Sequence, residues 1–466
     1  MATETFDAIV IGAGQGGGPI ASAFARAGRK TALIEREFPG GTCVNWGCTP
    51  TKTLIASGRV AHLARRASNY GIDTGDISVD MKIVRQRGRD IVTSFREGSR
   101  NTIEQSDGLE YIEGDAVFTG GTTLCVSHRN GERREMSADL IVIDVGERAR
   151  TVDIPVARGL TLLDNRSILE LGEVPDHLAI VGGGPIALEF AQLFRRLGSR
   201  VTILNRGKRI LSSEDPDIAD AVSDILQEDG IDILLQTEPV EIGQANGGME
   251  VKLAQVNDEP RSIDVSHVLV AAGRVPNTDT LQADKTGLKL DEKGYIPTND
   301  RLETTVPGIY AIGDVRPGPK FTHISYDDYR ILKANLIDDG DRTINDRTLA
   351  STTYIDPQLG RVGATERELG KQNVPYLIAK MPMERVARAQ ETDETRGVMK
   401  VLVHKETERI LGAAILGIEG GEIAAMLQIA MMGDLPYTSL RDGVFAHPTL
   451  AESLNNLFAE LREPGA

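Results

Sequence analysis

Short apolar runs, each ending in a glycine turn and followed by a stretch with helical periodicity, dominate the pattern along this chain. Phe6-Asp-Ala-Ile-Val-Ile11 reads as a buried strand, Gly12-Ala-Gly-Gln-Gly-Gly17 as the turn, and the residues after it as a helix leading to a second strand from Lys30 to Glu35. The order recurs further on. Leu178-Ala-Ile-Val181 is the strand, Gly182-Gly-Gly184 the turn, and a helix through Ala187 leads to a strand from Arg200 to Asn205. From Gly12 to Glu35 is 23 positions, and from Gly182 to Asn205 is 23 again. Both copies fit the βαβ unit that binds dinucleotides, in which a ribose-reading residue lies about 20 positions beyond the glycines. One such motif alone could be turn chemistry, but two in matched register predict two nucleotide sites. The missing Cβ atoms let a pyrophosphate reach the N–H groups of a helix N-terminus, where the dipole favours an anion.

Residues from about Asn69 to Arg148 carry helical and then short strand patterns, punctuated at Gly120-Gly121 and Asn130-Gly131. Val268 to Asn277 and Ile309 to Val315 read as buried strands ending in polar turns, each a place for a ligand at a strand's carboxyl end. From about Arg347 the pattern changes. Strands at Gly397–His404 and Ile410–Gly417 are followed by helices at Gly421–Met432 and Thr449–Leu461, which predicts a separate α+β domain.

Length and charge narrow the function classes. The 466 residues suggest about three domains. Lys and Arg total 52 against 68 Asp and Glu, a net charge of −16, the wrong sign for binding nucleic acid or an anionic membrane. No apolar run approaches the roughly 20 residues that span a bilayer. Three cysteines make no disulfide framework, and no basic and apolar leader precedes Phe6, so a cytoplasmic protein is expected. Cys125, in a strand-like stretch, reads as a core thiol.

Cys43 and Cys48 stand apart, in Gly41-Thr-Cys-Val-Asn-Trp-Gly-Cys-Thr-Pro-Thr-Lys52. In a regular helix residues five apart have Cα atoms about 8–9 Å apart, beyond the ~7 Å limit for a disulfide. The pair can bridge only if the backbone is irregular, and Gly47 and Pro50 supply that irregularity. A thiol opening a helix has its thiolate stabilised by the dipole. Two buried structural thiols are the alternative. Next to a dinucleotide fingerprint, a redox role is the stronger reading.

The two nucleotide sites differ at their ribose-reading ends. Glu35 offers a carboxylate to ribose hydroxyls, compatible with the AMP half of FAD. Asn205, followed by Arg206, Lys208 and Arg209, lacks a repelling carboxylate and offers cations for a 2′-phosphate, which favours NADPH over NADH. A solvated basic turn is the other reading of those cations. Near the C-terminus Pro448 suits the first helical position, placing His447 and Glu452 as neighbours, a carboxylate-oriented imidazole able to act as general base. Alone, a histidine before proline is more often an ordinary one.

Together these residues resemble the flavoprotein disulfide reductases that include dihydrolipoamide dehydrogenase, glutathione reductase and mercuric reductase. The resemblance covers nearly the whole chain and rests on Gly12, Gly14 and Gly17, Cys43 to Lys52, the second fingerprint, Ala272 to Asn277, Ile312 to Val315 and His447 to Glu452. It implies an α/β fold of two doubly wound, Rossmann-like dinucleotide-binding domains plus a C-terminal α+β dimerisation domain. The expected domains are 1–150 with 274–346 for FAD, 151–273 for NAD(P)H and 347–466 for the interface. It implies a homodimer with FAD held by Gly12, Gly14, Gly17, Glu35, Thr42, Lys52, Gly146 and Asp314, and with NADPH, or NADH, at Gly182, Gly184, Ala187, Asn205, Arg206 and Gly273. Cys48 would be the flavin-side thiol, Cys43 the interchange thiol, Lys52 paired with Glu189 near the ring, and His447 with Glu452 the acid and base from the partner subunit. No resident metal is expected.

Departures from the family pattern bear on the acceptor. The chain has no C-terminal cysteine pair and keeps His447, unlike mercuric reductases, and Phe321 to Arg330 differs from the lipoamide dehydrogenase segment. Phe321 to Arg330, Leu435 to Asp442 and Phe445 to Pro448 are most similar to a bacterial reactive-chlorine-resistance, mercuric-reductase-like branch. The expectation is an NAD(P)H oxidoreductase reducing a small disulfide or a thiol-bound mercuric or cupric ion. Dihydrolipoamide dehydrogenase and a redox-sensing flavoprotein are the rivals. Trp46 stands where a small aliphatic residue is usual, and is expected either to shield the disulfide or to restrict bulky acceptors. Asp144-Val-Gly146 replaces the usual Ala-Thr-Gly turn, and no role attaches to Asp144 from sequence.

Overall fold

The computed structural model describes residues 3–245, 247–256 and 259–465. β1 (Glu4–Ile11), α1 (Gly17–Arg26) and β2 (Thr31–Glu35) form the first βαβ unit, with Ile9 opposite Ala32 in a parallel pair. Side chains of β1 alternate between two cores: Ala8 and Val10 pack with Ile20 and Phe24 of α1, and Ile9 and Ile11 pack with Ile34 and Ile141 on the opposite face. All are almost fully buried, and each large apolar side chain so removed from water contributes about 1.5–3 kcal/mol.

Two helices carry the cysteines, α2 (Gly41–Trp46) and α3 (Cys48–Arg65), followed by α4 (Met81–Glu104). The side chain of Asp80 caps α4 by accepting from the amides of Lys82 and Ile83. A meander of β3 (Leu109–Gly120), β4 (Thr123–His128) and β5 (Arg133–Ile143) follows, and β5 returns to pair in parallel with β1, Ile141 opposite Ile9. β6 (Glu147–Ala149) leads out of this unit.

The second unit repeats the logic. β7 (His177–Val181), α5 (Pro185–Leu197), β8 (Arg200–Asn205), α6 (Pro216–Glu228) and β9 (Ile231–Leu235) are followed by β10 (Pro239–Ala245), β11 (Gly248–Val256), β12 (Glu259–Val265) and β13 (His267–Val270). The sheet runs β13-β7-β8-β9, all parallel, and the antiparallel β10-β11-β12 sheet covers one face through Ile242 and Val251 against Val181 and Leu204. Val268 to Asn277 is not one strand. β13 stops at Val270, and beyond Gly273, at φ +109°, β14 (Arg274–Pro276) turns to pair with β6.

β15 (Ile309–Ala311) then joins the first sheet beside β5, a 3₁₀ turn occupies Gly313–Val315, and α7 (Thr322–Leu336) packs beside α1. The last unit comprises β16 (Ala350–Thr353), β17 (Gln358–Gly363), α8 (Glu366–Gln372), β18 (Tyr376–Pro382), α9 (Ala387–Glu391), β19 (Val398–His404), β20 (Ile410–Gly417), α10 (Gly420–Met432), α11 (Tyr437–Arg441) and α12 (Ser453–Ala459). Its sheet is antiparallel, β16-β17-β20-β19-β18, with α10 and α12 packed on it, the α+β unit expected. The last helix begins later than the proline suggested: Thr449 Oγ1 donates to the Ala446 carbonyl and accepts from the Glu452 amide, holding 446–452 as a turn. Glu452 is therefore the residue before α12, not one inside it. No helix among the described residues is long and apolar enough to cross a membrane.

Candidate active site

Gly47 breaks what would be one helix. With φ −132° and ψ −114° it separates α2 from α3, and a Cβ there would lie 2.9 Å from the Thr42 carbonyl oxygen. The break makes Cys48 the first residue of α3 and brings its sulfur beside that of Cys43; both thiols are free in this structure. Cys48 Sγ also lies 3.3 Å from the hydroxyl of Thr322, the first residue of α7, so two helix N-termini converge on one sulfur. A hydrogen bond from Cys43, helped by Thr322 and the Lys52 ammonium and opposed by burial, brings the Cys48 thiol down to about 6. The same pairing, together with burial, pushes the Cys43 thiol up. One thiolate and one thiol are the outcome at neutral pH.

Lys52, one turn along α3, places its Nζ 2.6 Å from Glu189 Oε2, and Glu189 Oε1 accepts the Tyr354 amide at 2.9 Å. The ammonium also sits 4.9 Å from the Tyr354 ring centroid. Three units of the fold meet at this buried carboxylate, which belongs to α5.

From Cys43 a groove of about 1100 Å³, open to solvent, runs past Thr42, Asp314, Gly146, Gly14 and Gly12 to Glu35. Gly12, at φ +102°, could carry no side chain, because a Cβ would stand 2.3 Å from the Asp144 carbonyl oxygen. Glu35 Oε2 accepts from the Ala13 amide and Oε1 from the Glu37 amide, each at 2.8 Å, while burial pushes its carboxyl up. Asp314 is also pushed up by burial and pairs with Arg274 at 2.8 Å. A long groove with a glycine floor at one helix N-terminus, acceptors at one end and the Cys43 thiol at the other fits a flavin dinucleotide.

In the second unit Gly182 adopts φ +128°, Gly184 precedes Pro185 at the start of α5, and Ala187 is fully buried. Asn205 donates to the carbonyls of Gly207 and Arg209, at 3.1 and 2.9 Å, and so shapes the basic turn. Arg209 is paired with Asp220, whereas Arg206 and Lys208 are exposed without an ion pair to a described residue. Gly273 accepts the Arg150 amide at 3.0 Å beside this unit.

His447 is not brought to the cysteines of its own chain. Its Nδ1 bonds Glu452 Oε2 at 2.8 Å, and the ring is two-thirds exposed, beside a fully exposed Val444. Trp46 packs on Phe38, centroids 6.2 Å apart, and under Arg166, which makes it part of the wall of the groove that Cys43 also lines. Cys125 is half-buried: on β4 it points away from the face that buries Leu124 and Val126, so the core placement was wrong. Thr322, Arg274 and Tyr354 were missed from sequence. Thr322 alone had a signal, a hydroxyl residue at a helix start; the other two arrive through tertiary packing.

Comparison with known proteins then decides the family. The profile for pyridine nucleotide-disulphide oxidoreductases matches residues 6–328, and that for their dimerisation domain matches residues 349–458. The chain belongs to the pyridine nucleotide-disulphide oxidoreductase family. Escherichia coli RclA is 35% identical over 461 residues, covering 97% of this chain and 99% of RclA. A solved structure described as HOCl-induced flavoprotein disulfide reductase RclA superposes with a TM-score of 0.87 at 34% identity, over 97% of this chain and 99% of that one. The Cu(II) complex of RclA gives 0.88 at 34% identity, over 98% and 99%. Mercuric reductase of Staphylococcus aureus is 31% identical over 96% of this chain and 81% of its own. As a member of the RclA and mercuric reductase branch, this chain is a flavoprotein disulfide reductase that uses a flavin and a pyridine nucleotide.

Proposed function

We propose that this chain reduces a small disulfide or a thiol-bound metal ion with electrons taken from NADPH through FAD and the Cys43–Cys48 pair. The observation that carries the reading is geometric: the helix break at Gly47 sets the two sulfurs side by side, with Cys43 lining the groove and Cys48 Sγ 3.3 Å from Thr322 Oγ1 at a second helix N-terminus. The chemistry that bound FAD supplies is two-electron transfer from nicotinamide to the disulfide; Gly12, Gly14, Gly17, Glu35, Thr42, Gly146 and Asp314 would hold it.

Reducing the disulfide takes two electrons and one proton, leaving a Cys48 thiolate and a Cys43 thiol. Thr322 and Lys52 stabilise the thiolate without a proton carrier. Cys43 needs a base before it can attack an acceptor. His447, oriented by Glu452 and exposed on the unit matched by the dimerisation profile, suits that role from a partner subunit. For a disulfide acceptor, Cys43 attacks one sulfur and the second leaves with the proton returned by the imidazolium; the Cys48 thiolate then attacks Cys43 Sγ, closing the bridge and expelling the first acceptor sulfur as a thiolate. For Cu(II), two ions take one electron each as the Cys48 thiolate and the Cys43 thiol lose one proton between them and become the disulfide. That RclA has been solved as a Cu(II) complex supports testing this ion first.

At the second site the unpaired Arg206 and Lys208 favour a 2′-phosphate. Replacing both by Ala is expected to raise the KM for NADPH about tenfold, with little change for NADH. The decisive experiment is anaerobic NADPH titration of wild type and Cys48→Ser, followed by steady-state rates of NADPH oxidation with glutathione disulfide, Cu(II) and Hg(II), and of NAD+ reduction by dihydrolipoamide. Wild type should take up two reducing equivalents beyond the flavin and show a long-wavelength thiolate-to-flavin band. Equal uptake by the two proteins would remove the disulfide from the path.

A further inference from the structure

Asp144 follows β5 and carries a carboxyl that nothing in the electron path uses. It is 7% exposed, and its side chain is threaded between the two segments that build the flavin groove. Oδ2 accepts the Gly17 amide at 2.7 Å in the first turn of α1. A Cβ on Gly14 would stand 2.6 Å from the same oxygen, and one on Gly313 would stand 2.6 Å from Oδ1. The carboxyl thus lies at the turn whose amides would receive a pyrophosphate.

The surroundings are acidic. Glu35 faces it from the end of β2, Asp314 from the 3₁₀ turn and Asp328 from α7, while α1 presents no charged group to it. The nearby cations are already engaged, Arg274 with Asp314 and Arg316 and Arg347 with Asp328. No Lys or Arg among the described residues forms an ion pair with Asp144. One backbone amide and a helix dipole would have to hold a buried anion against three carboxylates, and then against the two negative charges of a pyrophosphate. Burial and those neighbours push its pKa well above the ordinary carboxylate range.

We propose that Asp144 serves the flavin site as a neutral carboxylic acid, so that FAD is held with one proton on this side chain and is released when the proton is lost. Asp144 is a positioning residue with a pH-dependent charge. The proton balance is one per flavin: the protonated complex dissociates to FAD, a proton and an anionic side chain. The usual Ala at this turn has no such group, so the linkage is a property of this chain. The inference rests on the flavin reading above, and not on the cysteine relay.

The test follows flavin fluorescence as the holoenzyme is diluted between pH 6 and 9. Wild type should lose FAD affinity with rising pH, by up to about tenfold per pH unit once Asp144 titrates. Asp144→Asn, which keeps an acceptor for the Gly17 amide, should retain FAD with this slope removed, and Asp144→Ala serves if the amide variant misfolds. Independently of any variant, FAD rebinding to stripped wild type at pH 8 should take up close to one proton. Identical pH profiles in wild type and both variants, loss of FAD from folded Asp144→Asn at pH 6, or rebinding without proton uptake would each overturn the proposal. Cys48→Ser should release FAD like wild type, so failure of the relay and failure of this linkage are read separately.

Discussion

Thr322 shows how one hydroxyl sets the chemistry of a sulfur 274 positions away. A hydrogen bond to a charged group contributes about 1.5–3 kcal/mol, and one pKa unit corresponds to 1.36 kcal/mol. With the Cys48 thiol brought down to about 6, its thiolate is present above that pH and lost below it. Thr322→Val is therefore expected to move the pH midpoint of the thiolate-to-flavin band in the reduced enzyme upward by about one pH unit, with Thr322→Ser restoring it. A midpoint unchanged in Thr322→Val would show the hydroxyl to be a bystander. Cys43, Cys48 and Lys52 could be singled out from their spacing and residue types. Thr322 offered only the weak signal of a hydroxyl at a helix start, because its partner is chosen by how α7 abuts α3.

At the level of elements, the second and third units are joined by a buried cation. Lys400 on β19, 1% exposed, places its Nζ 2.9 Å from Asp215 and 3.0 Å from Asp217, and it also bonds Glu366 of α8. These three carboxylates approach one another as metal ligands would, and the ammonium occupies the position of a cation among them. Removing it leaves Asp215, itself 2% exposed, without its counter-charge, and breaking a buried pair costs about 3–5 kcal/mol. Lys400→Met is expected to lower the thermal midpoint by several degrees and to shift the urea midpoint downward with an unchanged slope. An unaltered midpoint would mean that the carboxylates repartner or protonate freely. The βαβ units were readable from hydrophobic runs and glycines, since a parallel strand is buried on both faces. The start of α12 was misread because Pro448 signals a first helical position equally well when a hydroxyl turn, here that of Thr449, intervenes.

For the whole molecule, His447 and the thiols lie on different units of the chain, and the unit that carries His447 also exposes the apolar side chains of Val444, Ile429 and Met432. A face of this kind on the unit matched by the dimerisation profile is expected to be covered by a second copy. Co-expressing Cys48→Ser and His447→Gln subunits tests the arrangement. If the base acts across the dimer, each mixed dimer keeps one intact site, and random assembly should recover about a quarter of wild-type activity. Activity no higher than that of either variant alone would place both groups in one subunit. Sequence alone determined the two nucleotide units, the α+β unit and the cysteine pair, because these depend on local periodicity, on glycines that no other residue can replace at a close backbone approach, and on a short cysteine spacing interrupted by a glycine. Tertiary structure alone decided which thiol is the acidic one, where Trp46 packs and what surrounds Asp144. Charges and hydroxyls supplied by distant segments set those properties, and their distances are fixed only when the sheets and helices pack.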